Sequence, residues 1–498
     1  MNLTRHIFVS SRPGISGIRR GALLLVISTT RFLFPIPACS QTAPAVSDTP
    51  WHSAQEKSIE EQALGILPKE FAIPSTNSYS LPQLIDLAEA HNPETHLAWE
   101  RARERADTLG VARSELFPTL AAIALSQTSR QQAYLDTRFY RQTIQSFDLA
   151  LDLNYTIFDF GARTGRIDAA KAELLAADFA FNDVHRRLIY QVEYSYFQLL
   201  NATGQVAAAR ANLTNAQAVL QAAQASLKNG LATLPDVLEA KSSVARANYD
   251  LQAALGVEDV ARGNLATTLG ASPLHPIPVL PIDQIPIPDS MEISVEQGVD
   301  EALQQRPDLM VRVAAIRSAD ARIKEAQAAY FPVLRTQVYP DPQSLYGVQQ
   351  NLSWGHTAGL DGQIAFSLDW TIFDGGARKH RVAEAKDSAR AAVAQAAATR
   401  DEIENGVWAA YSDLKTAFRQ REAATALLQS ADQSYNAAIE SYHYGVRNLL
   451  DVTDAQRTLA QARSADVLAR TQVLTALAAL AFQTGDSVQA TSGMRPQP

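Results

Sequence analysis

Cysteine is almost missing from this chain: its 498 residues hold one, Cys39. That excludes an intrachain disulfide framework and a cysteine-rich metal site. A basic surplus is missing too. Lysine and arginine number 44 against 52 aspartates and glutamates, a net charge of −8, so nucleic acid is not expected as the main partner. Beyond the first forty residues no window approaches the ~18 consecutive apolar residues of a membrane helix, so a bilayer would have to be crossed by another route. Catalytic motifs are absent as well: there is no nucleophile elbow, Walker loop, dinucleotide fingerprint or His-Glu zinc helix. The nine histidines are scattered. The expectation is a protein that is not an enzyme and needs no metal or cofactor.

The first forty residues read as a signal peptide. Arg5, Arg12, Arg19 and Arg20 precede an apolar stretch from Gly21 to Ser28, and small residues follow around Ala38-Cys39-Ser40. Ile36-Pro37-Ala38-Cys39 loosely resembles a lipoprotein cleavage site, which makes Cys39 a candidate for lipidation. An ordinary cleavage nearby, or an incidental cysteine, is the alternative.

What the sequence does contain is a duplication. Phe117-Pro118-Thr-Leu recurs 214 residues later as Phe331-Pro332-Val-Leu. Tyr155-Thr-Ile-Phe-Asp-Phe-Gly-Ala-Arg163 recurs 215 residues later as Trp370-Thr-Ile-Phe-Asp-Gly-Gly-Ala-Arg378. Asn229-Gly-Leu-Ala-Thr-Leu-Pro-Asp-Val237 is echoed at the same spacing by Tyr444-Gly-Val-Arg-Asn-Leu-Leu-Asp-Val452. The predicted division is a signal peptide (1–40), an N-terminal linker (41–79), repeat 1 (80–270), a proline-rich linker (271–293), repeat 2 (294–485) and a tail (486–498).

Each unit shows the same order of elements. Ser80-Leu-Pro-Gln83 and Ser294-Val-Glu-Gln297 are capping boxes. A short helix then stops before Asn92-Pro93 or Arg306-Pro307, and the proline opens a second helix reaching about Glu115 or Ala329. Alternation follows: Phe147, Leu149, Leu151, Leu153, Tyr155 and Ile157 are interleaved with Asp148, Asp152 and Asn154, and Ile364, Phe366, Leu368, Trp370 and Ile372 with Ser367 and Asp369. Period-two patterning means strands with one apolar and one polar face. Partner strands are expected around Leu120–Ser126 and Val333–Tyr339, with long connections over 131–145 and 340–363. A helix without proline then runs from Phe160 to Asn229, and its equivalent from Gly375 to Tyr444, each ~100 Å long at 1.5 Å per residue. In the second, Ile403, Val407, Tyr411, Leu414 and Phe418 step by three and four, as in a coiled-coil seam. A tight turn and a shorter return helix close each unit. The rising and return helices together fall short of the long one by about 12 residues, or ~18 Å, so they are expected end to end beside it with a break near the waist.

An apolar outer face and an Asp-, Asn- and Thr-bearing inner face suit a barrel in lipid with water inside. Four strands cannot close such a barrel, and an open edge is not tolerated in hydrocarbon. Three copies supply twelve. A β-sandwich packed on a helical rod is the competing architecture, and a soluble periplasmic coiled-coil adaptor or scaffold the competing function.

The duplicated unit, Asn92-Pro93-Glu94, Tyr155-Thr-Ile-Phe-Asp followed by Gly161, and Asn229-Gly-Leu-Ala-Thr-Leu-Pro-Asp-Val resemble the outer-membrane efflux factors typified by TolC, over residues ~80–486. The resemblance implies a mainly α fold with a transmembrane β-barrel contribution, a homotrimer with a twelve-strand barrel in outer-membrane lipid, and a helical tunnel through the periplasm. It also implies a periplasmic adaptor (membrane fusion) protein and an inner-membrane pump as partners, with the chain as the passive exit duct of a tripartite efflux or type I secretion system. Drugs, metal ions and polypeptides fit as cargo alike. The resemblance assigns adaptor contact to the tips Gly230, Leu231, Ala232 and Thr233 and Gly445, Val446 and Asn448. It assigns an acidic aperture to Asp451 and Asp454, which their spacing places on one helical face. Arg447, Asp236 and Tyr442 are the candidates for holding that mouth closed. Capping and the helix dipole alone also favour aspartate at these helix starts.

Overall fold

In the computed structural model, the described residues are 79–135, 137–274, 277–279, 287–288, 294–349 and 352–485, with the single positions 59, 62, 63 and 71. The chain divides into two compact units, Met1–Lys69 and Glu70–Pro498, and every helix and strand of the duplicated part belongs to the second. Cys39, the signal segment, most of the 41–79 linker and the 486–498 tail lie outside the described residues.

The duplication governs the fold. Repeat 1 contains α1 (Leu81–His91), α2 (Pro93–Ser114), β1 (Thr119–Leu135), β2 (Arg138–Phe158), α3 (Ala162–Lys228) and α4 (Leu234–Thr268). Repeat 2 contains α5 (Val295–Gln305), α6 (Pro307–Ala328), β3 (Val333–Gln349), β4 (Gly355–Asp369), α7 (Ala377–His443) and α8 (Leu449–Thr484). The short helices have 11 residues each, the rising ones 22 and the long ones 67. Both capping boxes form: the Ser80 amide donates to Gln83 Oε1 at 2.9 Å, and the Gln297 amide to Ser294 Oγ at 3.3 Å.

Rising and return helices do lie end to end beside the long one. The Asn92 side-chain amide donates to the Thr268 carbonyl at 2.9 Å, and its repeat equivalent Arg306 donates to the Gln483 carbonyl at 3.2 Å. Gly270, at φ +72°, comes so close to the His91 carbonyl that a Cβ would sit 2.7 Å from it. Around this waist lies the largest apolar cluster, built from Leu84, Leu188, Val192, Leu199, Leu265 and Leu269. Ile277, from the proline-rich linker, is buried in the same cluster.

The helical seams differ in character. Between α7 and α8 the contacts are apolar: Leu414, Ala417, Val473 and Leu480 in one stretch, and Tyr435, Ala438, Val452 and Leu459 in another. Between α3 and α8, which joins the two repeats, they are largely polar. Gln205 and Ser464 exchange two hydrogen bonds of 2.9 and 2.7 Å, and Asn201 meets Thr471 and Asn212 meets Gln456 at 3.4 Å. Gly204 admits Val467 so closely that a Cβ would lie 2.5 Å from its methyl group.

The four strands form one antiparallel sheet in the order β1-β2-β3-β4. No second sheet packs on it among the described residues, so the sandwich is not the architecture. Opposed residues share a face. One face carries Leu120, Leu149, Leu151, Leu360, Ile364, Phe366 and Leu368, all exposed in the single chain. The other carries Asp148, Asp152, Asn154, Gln337, Asp341, Gln343 and Asp361. An exposed apolar sheet face of this size fits lipid, and its polar reverse fits a water-filled lumen.

Two expectations are corrected. The connections over 131–145 and 340–363 are strand for most of their length: β1 pairs with β2 out to Leu135↔Arg138, and β3 with β4 out to Gly347↔Gly355. Across residues 130–145 apolar and aromatic residues sit side by side, as Tyr134-Leu135 and Phe139-Tyr140 do, so the stretch lacks the alternation that marks a half-buried strand. Pro340 and Pro342 lie within β3, and both pair on the β4 side, with Gly362 and Leu360. The cost falls on the β2 side, whose ladder is interrupted between Asp148↔Gln343 and Leu153↔Val338, where proline has no N–H to donate. Trp370 and Ile372 lie past the end of β4, and the Trp370 indole donates to the Tyr330 carbonyl at 3.1 Å.

Candidate functional site: the two hairpin tips

The long helices end at turns built the same way. Gly230 and Gly445 adopt φ +73° and +72°, a left-handed conformation that glycine reaches without strain. The Leu231 amide donates to Ser226 O at 2.8 Å, and the Val446 amide to Ser441 O at 2.9 Å. These bonds project the next side chain outward: Leu231 is 80% exposed and Val446 78%. Thr233, Asn448 and Arg447 are also exposed, and Ala232 is half-buried.

The return helices begin differently. At the first tip Thr233 caps α4, and Asp236 closes a reciprocal box: its carboxylate accepts from both the Thr233 amide and hydroxyl at 2.7 Å. The Thr233 backbone N–H, then its hydroxyl, hold the Asp236 carboxyl below the usual carboxylate range. At the second tip Asn448 caps α8, accepting from the Asp451 amide at 2.9 Å. The Asp451 carboxylate, which occupies the place of Asp236 in the duplication, makes no hydrogen bond or ion pair among the described residues. Asp454 pairs with Arg457 at 2.9 Å. Arg447 and Asp236 make no ion pair within one chain among the described residues. Tyr442 is buried against α8, and its hydroxyl is enclosed with no partner.

Three features were missed from the sequence. Asn448, rather than an aspartate, is the second cap, and Asn at the N-cap position was the available signal. The doubled Asp-x-Gly-Ala-Arg motif pins the strand-to-helix turn. Asp159 accepts from the Arg163 amide and Nε at 2.9 and 3.0 Å, and Asp374 does the same for Arg378 at 2.9 Å in both bonds. Arg163 also donates to the Glu115 and Ile157 carbonyls, tying the rising helix and strand to the turn. Third, Glu193 on α3 has a carboxylate oxygen enclosed without a partner, and burial pushes its pKa up to about 7. No periodicity marks that residue as buried.

Comparison with known proteins gives a consistent result. The sequence profile described as outer membrane efflux protein matches residues 84–271 and 298–486, one segment per repeat. The chain is 28% identical over 417 residues to Protein CyaE of Bordetella pertussis, covering 82% of this chain and 84% of that protein. It is 28% identical over 448 residues to the pyoverdine export outer membrane protein OpmQ of Pseudomonas putida, covering 86% and 89%. Among solved structures, the outer-membrane channel OprN superposes with a TM-score of 0.73 at 21% identity, over 83% of this chain and 93% of that one. This last likeness concerns the fold.

Proposed function

This chain belongs to the outer membrane efflux protein family and is a non-enzymatic outer-membrane channel extending into the periplasm, and from that premise we propose that its second hairpin tip forms an acidic aperture. Members of the family act as trimers with adaptor proteins and inner-membrane pumps. In a trimer, Asp451 and Asp454 each become a ring of three, and a narrow ring of carboxylates favours cations. The observation that carries this reading is the free carboxylate of Asp451. Its helix is already capped by Asn448, so capping does not account for it.

Arg447, Asp236 and Tyr442 hold the mouth closed in this reading, through contacts between hairpins. The exposed Leu231 and Val446, with Gly230, Ala232, Thr233, Gly445 and Asn448 shaping the turns, present the adaptor-contact surface. The repeats act as single units, 80–270 and 294–485, joined by the 271–293 strap, and the profile's two segments support that division.

Planar-bilayer recording of the purified trimer tests the aperture. Multivalent cations added from the periplasmic side block the parent channel, and Asp451→Asn with Asp454→Asn relieves the block. Arg447→Ser raises conductance by loosening the closed mouth. Block and conductance equal to the parent in all variants would mean that these residues do not line the constriction.

A further inference from the structure

The sheet is longer than its apolar part. On β2 the apolar residues of the lipid face run from Tyr155 to Phe147, and on β4 from Leu368 to Leu360. At about 3.4 Å per residue and a 40° tilt, each run rises roughly 20 Å, close to the ~25 Å apolar band of a spanning barrel. Both hairpins continue past that band, β1 with β2 to Leu135↔Arg138 and β3 with β4 to Gly347↔Gly355. The helices extend into the periplasm, so these hairpin turns lie at the extracellular end.

Beyond the band the same face changes chemistry. An aromatic row comes first: Phe147 meets Tyr346 edge-on at 6.1 Å, and the Tyr346 and His356 ring centres are 4.3 Å apart. Past that row stand Arg130 on β1 and Arg141 on β2. Arg130 opposes Thr143 and Arg141 opposes Gln132, so the two arginines are diagonal neighbours on one face, within ~8 Å. Both are exposed, and neither makes a hydrogen bond or ion pair among the described residues. Tyr134 and Phe139, whose rings pair at 4.8 Å, close the patch on its far side.

No acid balances it on that face. The carboxylates of the four strands, Asp148, Asp152, Asp341, Asp361 and Asp369, all lie on the lumenal face. So does the remaining arginine of the first hairpin, Arg138. Closing a barrel pairs the free edges of β1 and β4 between copies and leaves the faces uncovered. The patch therefore stays accessible in the trimer.

We propose that Arg130 and Arg141 hold the phosphate groups of the outer leaflet's glycolipid, with the aromatic row at the hydrocarbon boundary below them. Arginine recognises phosphate through paired, charge-assisted bonds, and its long stem reaches back toward the boundary. Aromatic side chains favour that boundary. Two guanidiniums with no carboxylate beside them fit a twice-phosphorylated headgroup better than a zwitterionic one. Three copies place six arginines around the barrel. The surface is separate from the hairpin tips, and the inference rests on the outer-membrane channel reading alone.

Native mass spectrometry of the full-length trimer in mild non-ionic detergent tests this with diphosphoryl lipid A. The parent retains the lipid, and Arg130→Gln with Arg141→Gln raises its apparent dissociation constant about tenfold or more. Arg138→Gln, on the lumenal face of the same hairpin, leaves it unchanged. Excess inorganic phosphate does not displace the lipid, because the surface takes a membrane-held phosphate. No retention by the parent, equal retention by the double variant, an equal loss with Arg138→Gln or displacement by inorganic phosphate would each overturn the proposal. The trimer mass of each variant in the same spectra shows that it is assembled. Phosphatidylethanolamine separates the two levels. Equal retention of it and of lipid A by the parent removes the phosphate contact and leaves the channel reading. Retention of neither removes the lipid-facing sheet and the proposal with it.

Discussion

The two hairpin tips share a backbone and differ in how they use one aspartate. At the first, Asp236 is held in a box with Thr233; at the second, Asn448 accepts from the Asp451 amide and the Asp451 carboxylate makes no bond back among the described residues. The acid in the first turn of the return helix is bound back to the cap at one tip and available to solvent and ions at the other, where the cap is asparagine rather than threonine. The same divergence appears midway along the long helices. Glu193 of α3 is enclosed, whereas its counterpart in α7 is Trp408, 61% exposed. Duplication fixed lengths and turns, and later substitution gave the halves different electrostatics.

The largest effect expected on this comparison is at the apolar rims of the tips. Leu231→Asp abolishes export, measured as survival of cells that depend on the channel, while trimers assemble in parental amounts. If export is unimpaired, Leu231 is not part of the docking surface, and the likeness of the two tips is only conformational.

The pair Glu193 and Trp408 gives a pH test of intermediate size. The folded-state pKa of Glu193, about 7, lies above its ordinary value of 4.5. Its neutral form therefore favours the fold, and that contribution is complete below the unfolded pKa and lost as pH rises from about 4.5 through 7. Glu193→Gln keeps the neutral shape, so it stabilises the protein at pH ~8 by roughly 1–3 kcal/mol per protomer and leaves stability unchanged at pH ~4.5. Thermal unfolding of both proteins across that range measures it. A difference independent of pH would show that Glu193 is solvated.

The smallest effects separate the caps themselves. Thr233→Ala removes one partner of a reciprocal box and Asn448→Ala a lone acceptor, each expected to cost about 1 kcal/mol in its own hairpin. Amide hydrogen exchange of the first turns of α4 and α8 reads this directly. Thr233→Ala also removes the hydroxyl's bond to the Asp236 carboxylate and keeps that of the residue 233 amide, so it brings the first tip partway toward the second. Loosening of α8 by Thr233→Ala would mean that the caps are not local.

Much of this fold was legible because its signals are local and doubled. The proline after Asn92 and Arg306, the capping boxes, the glycine turns and the period-two strands are each decided by neighbours in sequence, and the duplication repeats every one of them. Alternation vanished where aromatic and apolar residues sit side by side, as in Tyr134-Leu135 and Phe139-Tyr140, which hid the outer half of the first hairpin. Pro340 and Pro342 are accommodated inside β3 because a strand can leave one ladder open and keep the other. The aperture candidates were found by position, but which aspartate was free depended on whether Thr233 or Asn448 did the capping. Glu193 was invisible for another reason: no helical period records whether packing encloses a carboxylate oxygen without a partner.

Ion selectivity tests the central claim, that the tips are alike in backbone and unlike in charge. Reversal potentials across a salt gradient, with parent, Asp236→Asn and Asp451→Asn/Asp454→Asn trimers in planar bilayers, compare them in one experiment. A cation-selective parent, an unchanged Asp236→Asn channel and a clear loss of cation preference in the double variant are the result predicted here. Equal loss in both, or in neither, would contradict it.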